Sequence, residues 1–409
     1  MHIPPALHHR RFLLLWFGMT ISMAGSQMQL SALHWHIREL TGVPDPLALG
    51  GIGLARILPV IVFSLIGGAV ADSRNRRTIL FITQTALALI ALALAVLTFT
   101  GRIAIWQIYL LTALQAVAMS FDLPARQALV PGLVPGKDLP NAFSLTSIAS
   151  NTGAIVGPML SGMVIVSLGL AYTYLFNAIS FLAVILALVL IGTVAQEKKQ
   201  GAAIDLPAIR DGVKFIFTHR MILPTMLLDF VATFFASANT MMPIVARDIL
   251  HVGELGYGLL SSAQAVGAVL AGLVLSQVRN LRRQGALFLG SVMAFGLATV
   301  AFGMAQNLPL AWLALALTGV ADSVSTIIRN TIRQLYTPDA MRGRMVSVNQ
   351  VFFQGGPQLG EVEAGLMAAG FGVPFAIVSG GVGCIVGMGL IVWKWPHLLS
   401  YNGDEPLAG

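Results

Sequence analysis

The sequence predicts an all-α integral membrane protein of twelve transmembrane helices in two pseudo-symmetric halves of six. Three observations predict it. Hydrophobic residues make up 56% of the 409 and charged residues only 10%, whereas a soluble domain carries about 25% charged residues. Apolar runs recur along the chain, each near the ~20 residues that cross a hydrocarbon core of about 30 Å. Finally, Val117, Ala118, Ser120, Arg126, Pro135, Ser144, Gly153, Gly157, Gly162 and Gly169 return without a gap, 203 positions later, as Val320, Ala321, Ser323, Arg329, Pro338, Ser347, Gly356, Gly360, Gly365 and Gly372. Apolar composition alone does not align Gly, Pro, Arg and Ser. Many transporters are built from such repeated halves.

The first run, 12–34, exceeds the 7–15 residues of a signal-peptide h-region and has no small-residue cleavage site, so it reads as a span. Gln27 and Gln29 lie at membrane depth within it; such amides either line a cavity or bond neighbouring helices. His34 and His36 stand near its far end; they are of a type that titrates near neutral pH, and interfacial histidines are usually incidental. The second run, 47–71, holds Arg56, which either binds an anionic substrate or pairs with an acid. It leads through Gly67-Gly68-Ala-Val-Ala-Asp72-Ser-Arg74-Asn-Arg76-Arg77 into the third, 78–100. The fourth, 103–122, ends at Asp122, with Arg126 close behind. In the fifth, 140–166, Gly153, Gly157 and Gly162 let helices approach closely, and Pro158 bends the span. The sixth, 171–195, closes an N-terminal half of residues 1–195.

Residues 196–220 form the one long polar stretch between spans. Ile209, Val213, Ile216 and Phe217 share one face of a short amphipathic helix there, opposite Arg210, Asp211 and Lys214. The C-terminal half, 221–395, follows with spans near 221–245, 256–277, 285–305, 309–328, 345–369 and 374–395. Asp229 and Asn239 fall in the seventh, Asp322 in the tenth, and Gly356, Gly360, Glu361 and Glu363 in the eleventh. The loop after the eighth carries Arg279, Arg282 and Arg283, the counterpart of the Asp72 loop without its acid. Cys384 in the twelfth is the only cysteine, which excludes disulfides within the chain and cysteine-based metal sites. The tail, 396–409, is polar and reads as disordered.

The net charge of +7 is a topology signal and not a nucleic-acid footprint. With both termini in the cytoplasm, Arg10, Arg11, Arg74, Arg76, Arg77, Arg126, Lys137, Lys198, Lys199, Arg210, Lys214 and Arg220 lie inside. So do Arg279, Arg282, Arg283, Arg329, Arg333, Arg342, Arg344 and Lys394, against only Arg38, Arg102 and Arg247 outside. That asymmetry is the positive-inside rule. The expected location is therefore the inner or plasma membrane. No P-loop and no HExxH motif is present, so neither direct use of ATP nor zinc hydrolysis is expected. No enzyme activity, metal or cofactor is expected.

Several local patterns resemble the major facilitator superfamily, over nearly the whole chain. The Gly67–Arg77 stretch looks like its signature loop. Leu40-Thr-Gly, Arg56-Ile-Leu-Pro59, Asp122-Leu-Pro-Ala-Arg126-Gln-Ala-Leu-Val-Pro, Asn141-Ala142, Gly157-Pro158, Leu255-Gly-Tyr-Gly-Leu-Leu and Thr337-Pro-Asp-Ala-Met-Arg342-Gly-Arg344 resemble its siderophore-export and drug:proton-antiport branch. The resemblance implies a secondary transporter. It also implies a conformational latch of Gly68, Asp72, Arg76 and Arg77, an acid that accepts helix dipoles and Arg donors in one state and releases them in the other.

Charged groups inside the spans are the sharper clue to chemistry. Each acid costs about 2.5–3.5 kcal/mol at the centre of an inserting helix, so it calls for a partner or a wet cavity. Asp322 and Glu361, nearest the midplane, lead Asp229 and Glu363 as groups that load and release a proton. Glu361 and Glu363 stand about 200° apart round a helix, so both do not face one cavity. Arg56, Asp122, Arg126 and Arg329 are the charged partners, Arg126 and Arg329 being repeat mates. Gln27, Gln29 and Asn239 are the cavity candidates. The expectation is a monomeric, proton-coupled exporter of an amphipathic small molecule, a siderophore or a drug, working by alternating access in a lipid bilayer. The alternatives are a lipid or metabolite facilitator or importer on the same fold, or a sensor that transports nothing.

Overall fold

The computed structural model describes residues 4–192, 214–236, 238–278, 282–338 and 342–403. Among the described residues every long element is a helix. The chain runs α1 (Arg10–Thr41), α2 (Pro46–Ser73), α3 (Arg76–Phe99), α4 (Ile105–Leu129), α5 (Leu139–Ser167) and α6 (Leu170–Ile191). It continues with α7 (Ile222–Phe235), α8 (Gly253–Leu275), α9 (Gln284–Gly303), α10 (Leu308–Leu335), α11 (Arg342–Phe371) and α12 (Val373–Lys394). Among the described residues ten spans are long and apolar enough to cross a membrane. The other two long helices, α1 and α11, have 32 and 30 residues and carry Gln27, Gln29, Glu361 and Glu363 within them.

Helix ends follow local chemistry. The Asn75 side chain caps α3 by accepting from the backbone N–H groups of Arg77 and Thr78 at 3.0 and 3.3 Å, and Asn307 caps α10 through Leu310 N–H at 3.0 Å. Gly169 and Gly372, repeat mates, precede α6 and α12 with φ of 100° and 89°. That region of backbone space admits glycine and strains other residues. The repeat thus preserves a turn as well as a sequence.

Two compact units emerge, one of Met1–Gly42 and Ala55–Ile204, the other of Val43–Leu54 and Asp205–Gly409. In the first, α1 packs on α5 and α6, and α3 on α4 and α6. Phe12, Leu15, Met19, Leu80, Leu129, Val184 and Leu188 form its core. In the second, α7 packs on α11 and α12, and α9 on α10 and α12, the same pairings shifted by six helices. Leu228, Phe288, Val292, Ile328, Ile332 and Cys384 are buried together there. The repeated glycines make equivalent crossings. A Cβ on Gly153 would stand 3.0 Å from the Met23 backbone of α1, and one on Gly157 2.6 Å from Gln27 Cβ. A Cβ on Gly356 would meet Thr233 of α7. Gly162 and Gly360 are buried on the same two helices, and Pro158 lies inside α5.

Two expectations need correction. The seventh span is not one continuous helix: α7 stops at Phe235, and after residue 237 the chain continues in short turns, Ala238–Met241, Met242–Ile244 and Val245–Ile249. Pro243 stands at the start of the Met242–Ile244 turn, where its missing N–H costs no helical bond. The start of the tail is not disordered either. His397–Ser400 is helical, Leu398 and Tyr401 are buried in the second core, and Gly285 N–H donates to the Tyr401 carbonyl at 2.8 Å. Two apolar side chains in that polar segment suffice to anchor it. The amphipathic linker helix falls mostly outside the described residues; of its apolar face, Ile216 is buried and Phe217 exposed.

Candidate functional site: a four-charge cluster on α7 and α10

Asp229, Asp322, Arg329 and Arg333 come together in the second unit. α10 presents Asp322, Arg329 and Arg333 over three turns, and the middle of α7 brings Asp229 against them. Arg329 Nη2 lies 2.9 Å from Asp229 Oδ1 and 3.5 Å from Asp322 Oδ1, and Arg333 Nη2 lies 3.5 Å from Asp229 Oδ2. Thr326 donates to Asp322 Oδ1 at 3.4 Å, and Arg329 Nη1 donates to Ser325 Oγ at 3.0 Å. Ionised, the four charges sum to zero. Three members are sealed, with side chains of Asp229, Arg329 and Arg333 only 2–3% exposed, while that of Asp322 is 39% exposed. The cluster therefore has one accessible acid, and that acid shares its cation with a buried one.

The first unit resolves the same repeat position differently. Arg126, the mate of Arg329, donates to Asp122 on its own helix through Nε at 3.1 Å. Thr83 Oγ1 and Gln84 Nε2 of α3 donate to the other oxygen of Asp122 at 2.8 and 2.7 Å. Asp122 is closed inside this network, 1% exposed. Its repeat mate is Ser325, so Arg329 lacks an acid one turn back and takes its partners from α7 and from Asp322.

The other sequence candidates lie elsewhere. Glu361 sits where α11 crosses the start of α2: a Cβ on Gly53 would stand 2.9 Å from Glu361 Cβ and 3.2 Å from its Oε2. Glu363 is half-buried. Arg56 on α2 is half-buried. His34 Nδ1 pairs with the Leu30 carbonyl of its own helix and His36 Nδ1 with Tyr174 Oη of α6, both at 2.9 Å, so His36 ties α1 to α6. Arg76 Nη1 donates to the Ala128 carbonyl and Arg77 Nε to the Leu188 carbonyl, each at 2.8 Å, tying the start of α3 to the last turns of α4 and α6. The Asp72 side chain lies outside the described residues, as does Arg279. An added Cβ on Gly68 meets nothing within 4 Å; Gly67 is the glycine in tight contact, against Ser120 of α4. Gln27 is half-buried against Gly157. Asn239, at the break after α7, is exposed and donates to Gln264 of α8 at 3.0 Å.

Sequence reasoning missed two groups. Arg333 stands one turn beyond Arg329 on α10, a spacing that put both on one face. Gln115 on α4 is bonded to Gln29, whose Nε2 donates to Gln115 Oε1 at 2.9 Å. Nothing in the sequence marks that pair.

Residues 4–400 match the family described as transmembrane secretion effector. The chain is 27% identical to the multidrug efflux pump Tap of Mycolicibacterium fortuitum over 380 residues, covering 90% of this chain and 92% of that one. It is 26% identical to the staphyloferrin A transporter of Staphylococcus aureus, covering 86% and 89%. It is also 26% identical to the enterobactin exporter EntS of Citrobacter koseri, covering 69% and 67%. Among solved structures, a POT family transporter in complex with 5-aminolevulinic acid superposes with a TM-score of 0.77 at 13% identity, covering 95% of this chain and 96% of that one. The nucleoside transporter NupG superposes with a TM-score of 0.73 at 14% identity, covering 96% and 99%. Both structural likenesses establish the fold alone.

Proposed function

The chain belongs to the transmembrane secretion effector family of the major facilitator superfamily, and on that premise we propose a proton-coupled exporter of small amphipathic molecules that works by alternating access. It is a membrane transporter and not an enzyme. Siderophore and drug carriers among the relatives support that substrate class. The observation that carries the coupling is the shared cation: Arg329 serves buried Asp229 at 2.9 Å and accessible Asp322 at 3.5 Å. Asp322 can take up a proton and give up the longer contact while the buried pair stays intact. When it ionises again it competes for Arg329, so its charge biases the α7–α10 contact. An equilibrium shifts only through such differential interactions. Asp72, with Arg76 and Arg77, is proposed to latch one of the two states. Both termini are proposed to face the cytoplasm.

The test is accumulation of a compound panel, including ethidium and a catecholate siderophore, in cells lacking their own efflux pumps, with and without a protonophore. The wild-type chain is expected to lower accumulation, and the protonophore to abolish that effect. Asp322→Asn, at equal expression, is expected to lose protonophore-sensitive export while retaining substrate exchange in vesicles without a proton gradient. Wild-type, pH-dependent export by Asp322→Asn would sink the coupling.

A further inference from the structure

A second polar device crosses the first unit near the middle of its helices. Asn177 Nδ2 on α6 donates to Gln29 Oε1 on α1 at 2.8 Å, and Gln29 Nε2 donates to Gln115 Oε1 on α4 at 2.9 Å; Ser180 Oγ, with its single proton, lies 2.8 Å from the Asn177 backbone carbonyl and 3.0 Å from Asn177 Oδ1. Both amide links run in one direction, from a donor to the carbonyl oxygen of the next amide. Asn177 and Gln29 are 0% and 1% exposed, whereas Gln115 is half-buried. Gly25 makes room for the relay, since a Cβ there would stand 2.6 Å from Asn177 Oδ1.

The direction of the relay fixes what its open end offers. Gln115 spends its carbonyl on Gln29, so the group it presents outward is the Nε2 amide with its two N–H donors. Helical spacing of about 100° per residue puts Gln115 on one face with Thr112, Asp122 and Arg126, all of them buried. Leu110 and Leu114, about 140° and 100° round from Gln115, are 50% and 47% exposed, which suits lipid. Gln115 is ten residues into the 25-residue α4, about 15 Å along the axis and so near the middle of a core of about 30 Å. An amide with free donors at that depth is costly unless it faces water or a polar ligand.

We infer that Gln115 is a specificity-determining residue of the transport path, a fixed hydrogen-bond donor that selects substrates bearing carbonyl, carboxylate or phenolate oxygens. Gln29 and Asn177 are positioning residues that hold its amide in that sense. The inference rests on the transporter reading but not on proton coupling.

Cysteine accessibility tests the placement without a known substrate, because Cys384 is buried and Cys384→Ser supplies a thiol-free background. Gln115→Cys is expected to react with a membrane-impermeant methanethiosulfonate in whole cells or inverted vesicles, while Leu114→Cys, Gln29→Cys and Asn177→Cys resist. Resistance of Gln115→Cys from both sides overturns the inference whether or not any compound is exported. For specificity, the readout is the rank order of exported compounds, with ethidium as the probe lacking carbonyl oxygens and tetracycline as the oxygen-rich one. Gln115→Leu is expected to weaken apparent affinity for the oxygen-rich probe by about five- to tenfold, the size of one lost hydrogen bond, with little change for ethidium. Gln29→Leu is expected to reproduce the same selective change in smaller measure, and Gln115→Asn to restore part of it. Equal losses for both probes, at normal folding, overturn the inference. Failure of the wild-type chain to move either probe is a failure of the transporter reading, and the thiol reaction then decides the placement alone.

Discussion

Arg329 is the side chain on which the candidate site turns, and its removal separates structural from coupling roles. Arg329→Met leaves Asp229 sealed with only the 3.5 Å contact to Arg333. Breaking a buried pair by deleting one partner costs about 3–5 kcal/mol, so the purified variant is expected to melt well below wild type. Asp229→Leu added to it is expected to recover only part of the loss, because it removes the stranded acid but leaves buried Arg333 without its 3.5 Å contact. A second residue-scale prediction concerns His219, which lies before α7. Its Nδ1 accepts from the Met221 and Ile222 N–H groups at 3.2 and 3.3 Å, and its ring lies between Phe215 and Tyr336, with centroids 5.4 and 5.7 Å away. Burial lowers its pKa below the ordinary value. The folded chain therefore binds this proton less readily than the unfolded chain. The stabilisation is complete above about pH 6.5 and is lost as pH falls below it. Comparing melting temperatures of wild type and His219→Asn from pH 8 to 5 checks this: the wild-type melting temperature should fall more steeply. The sequence placed Asp229 and Asp322 in the membrane and Arg329 at its cytoplasmic edge, and named Arg329 as a partner for the acids. It did not unite them, because the contact joins helices a hundred residues apart, and only packing selects which faces meet.

Several helix crossings leave no room for a Cβ, and that makes glycine substitutions informative. A Cβ on Gly267 of α8 would run into the Ala316 carbonyl of α10, and one on Gly319 of α10 into the Gln264 carbonyl of α8. The crossing is built from reciprocal glycines with no room for a methyl group. Gly267→Ala is expected to lower stability by about 1–3 kcal/mol, the usual cost of forcing atoms into a packed contact. Gly272→Ala, on the same helix but with nothing within 4 Å, should be neutral or slightly stabilising. Thermal melts of the two purified variants provide the comparison. Periodicity and length made the existence of the helices legible in sequence, but not their ends: α4 runs to Leu129 and α10 to Leu335, past the expected 122 and 328, because Asp122, Arg126, Arg329 and Arg333 are buried within the helices instead of ending them. The break after α7 was hidden for the opposite reason. Ser237, Asn239 and Thr240 are set among enough apolar neighbours that the run reads as one span by composition.

At the scale of the whole chain, the repeat turns a difference at one position into an experiment on function. Asp122 and Ser325 are mates, and so are Arg126 and Arg329. In the first unit the acid one turn back holds its arginine, and two α3 side chains close the network. In the second the serine leaves the arginine to α7 and Asp322. Sequence comparison of the halves pointed to their unshared acids as the place where function departs from frame; it did not show that a shared arginine is what the departure redirects. Ser325→Asp writes the first unit's arrangement into the second. Arg329 then gains a carboxylate one turn back, Asp229 keeps Arg333, and Asp322 loses its claim on the cation. The variant is expected to fold, since an i,i+4 acid–arginine pair on one helix is favourable, and to export with little response to a protonophore or to external pH. Asp122→Ser is expected to do the reverse in kind: it strands buried Arg126, lowers the melting temperature, and leaves the pH response of whatever protein folds unchanged. Measuring melting and protonophore response for both variants separates the two halves' roles. Equal pH responses in Ser325→Asp and wild type would mean that the repeat's asymmetry is architectural and that coupling resides outside the α7–α10 cluster.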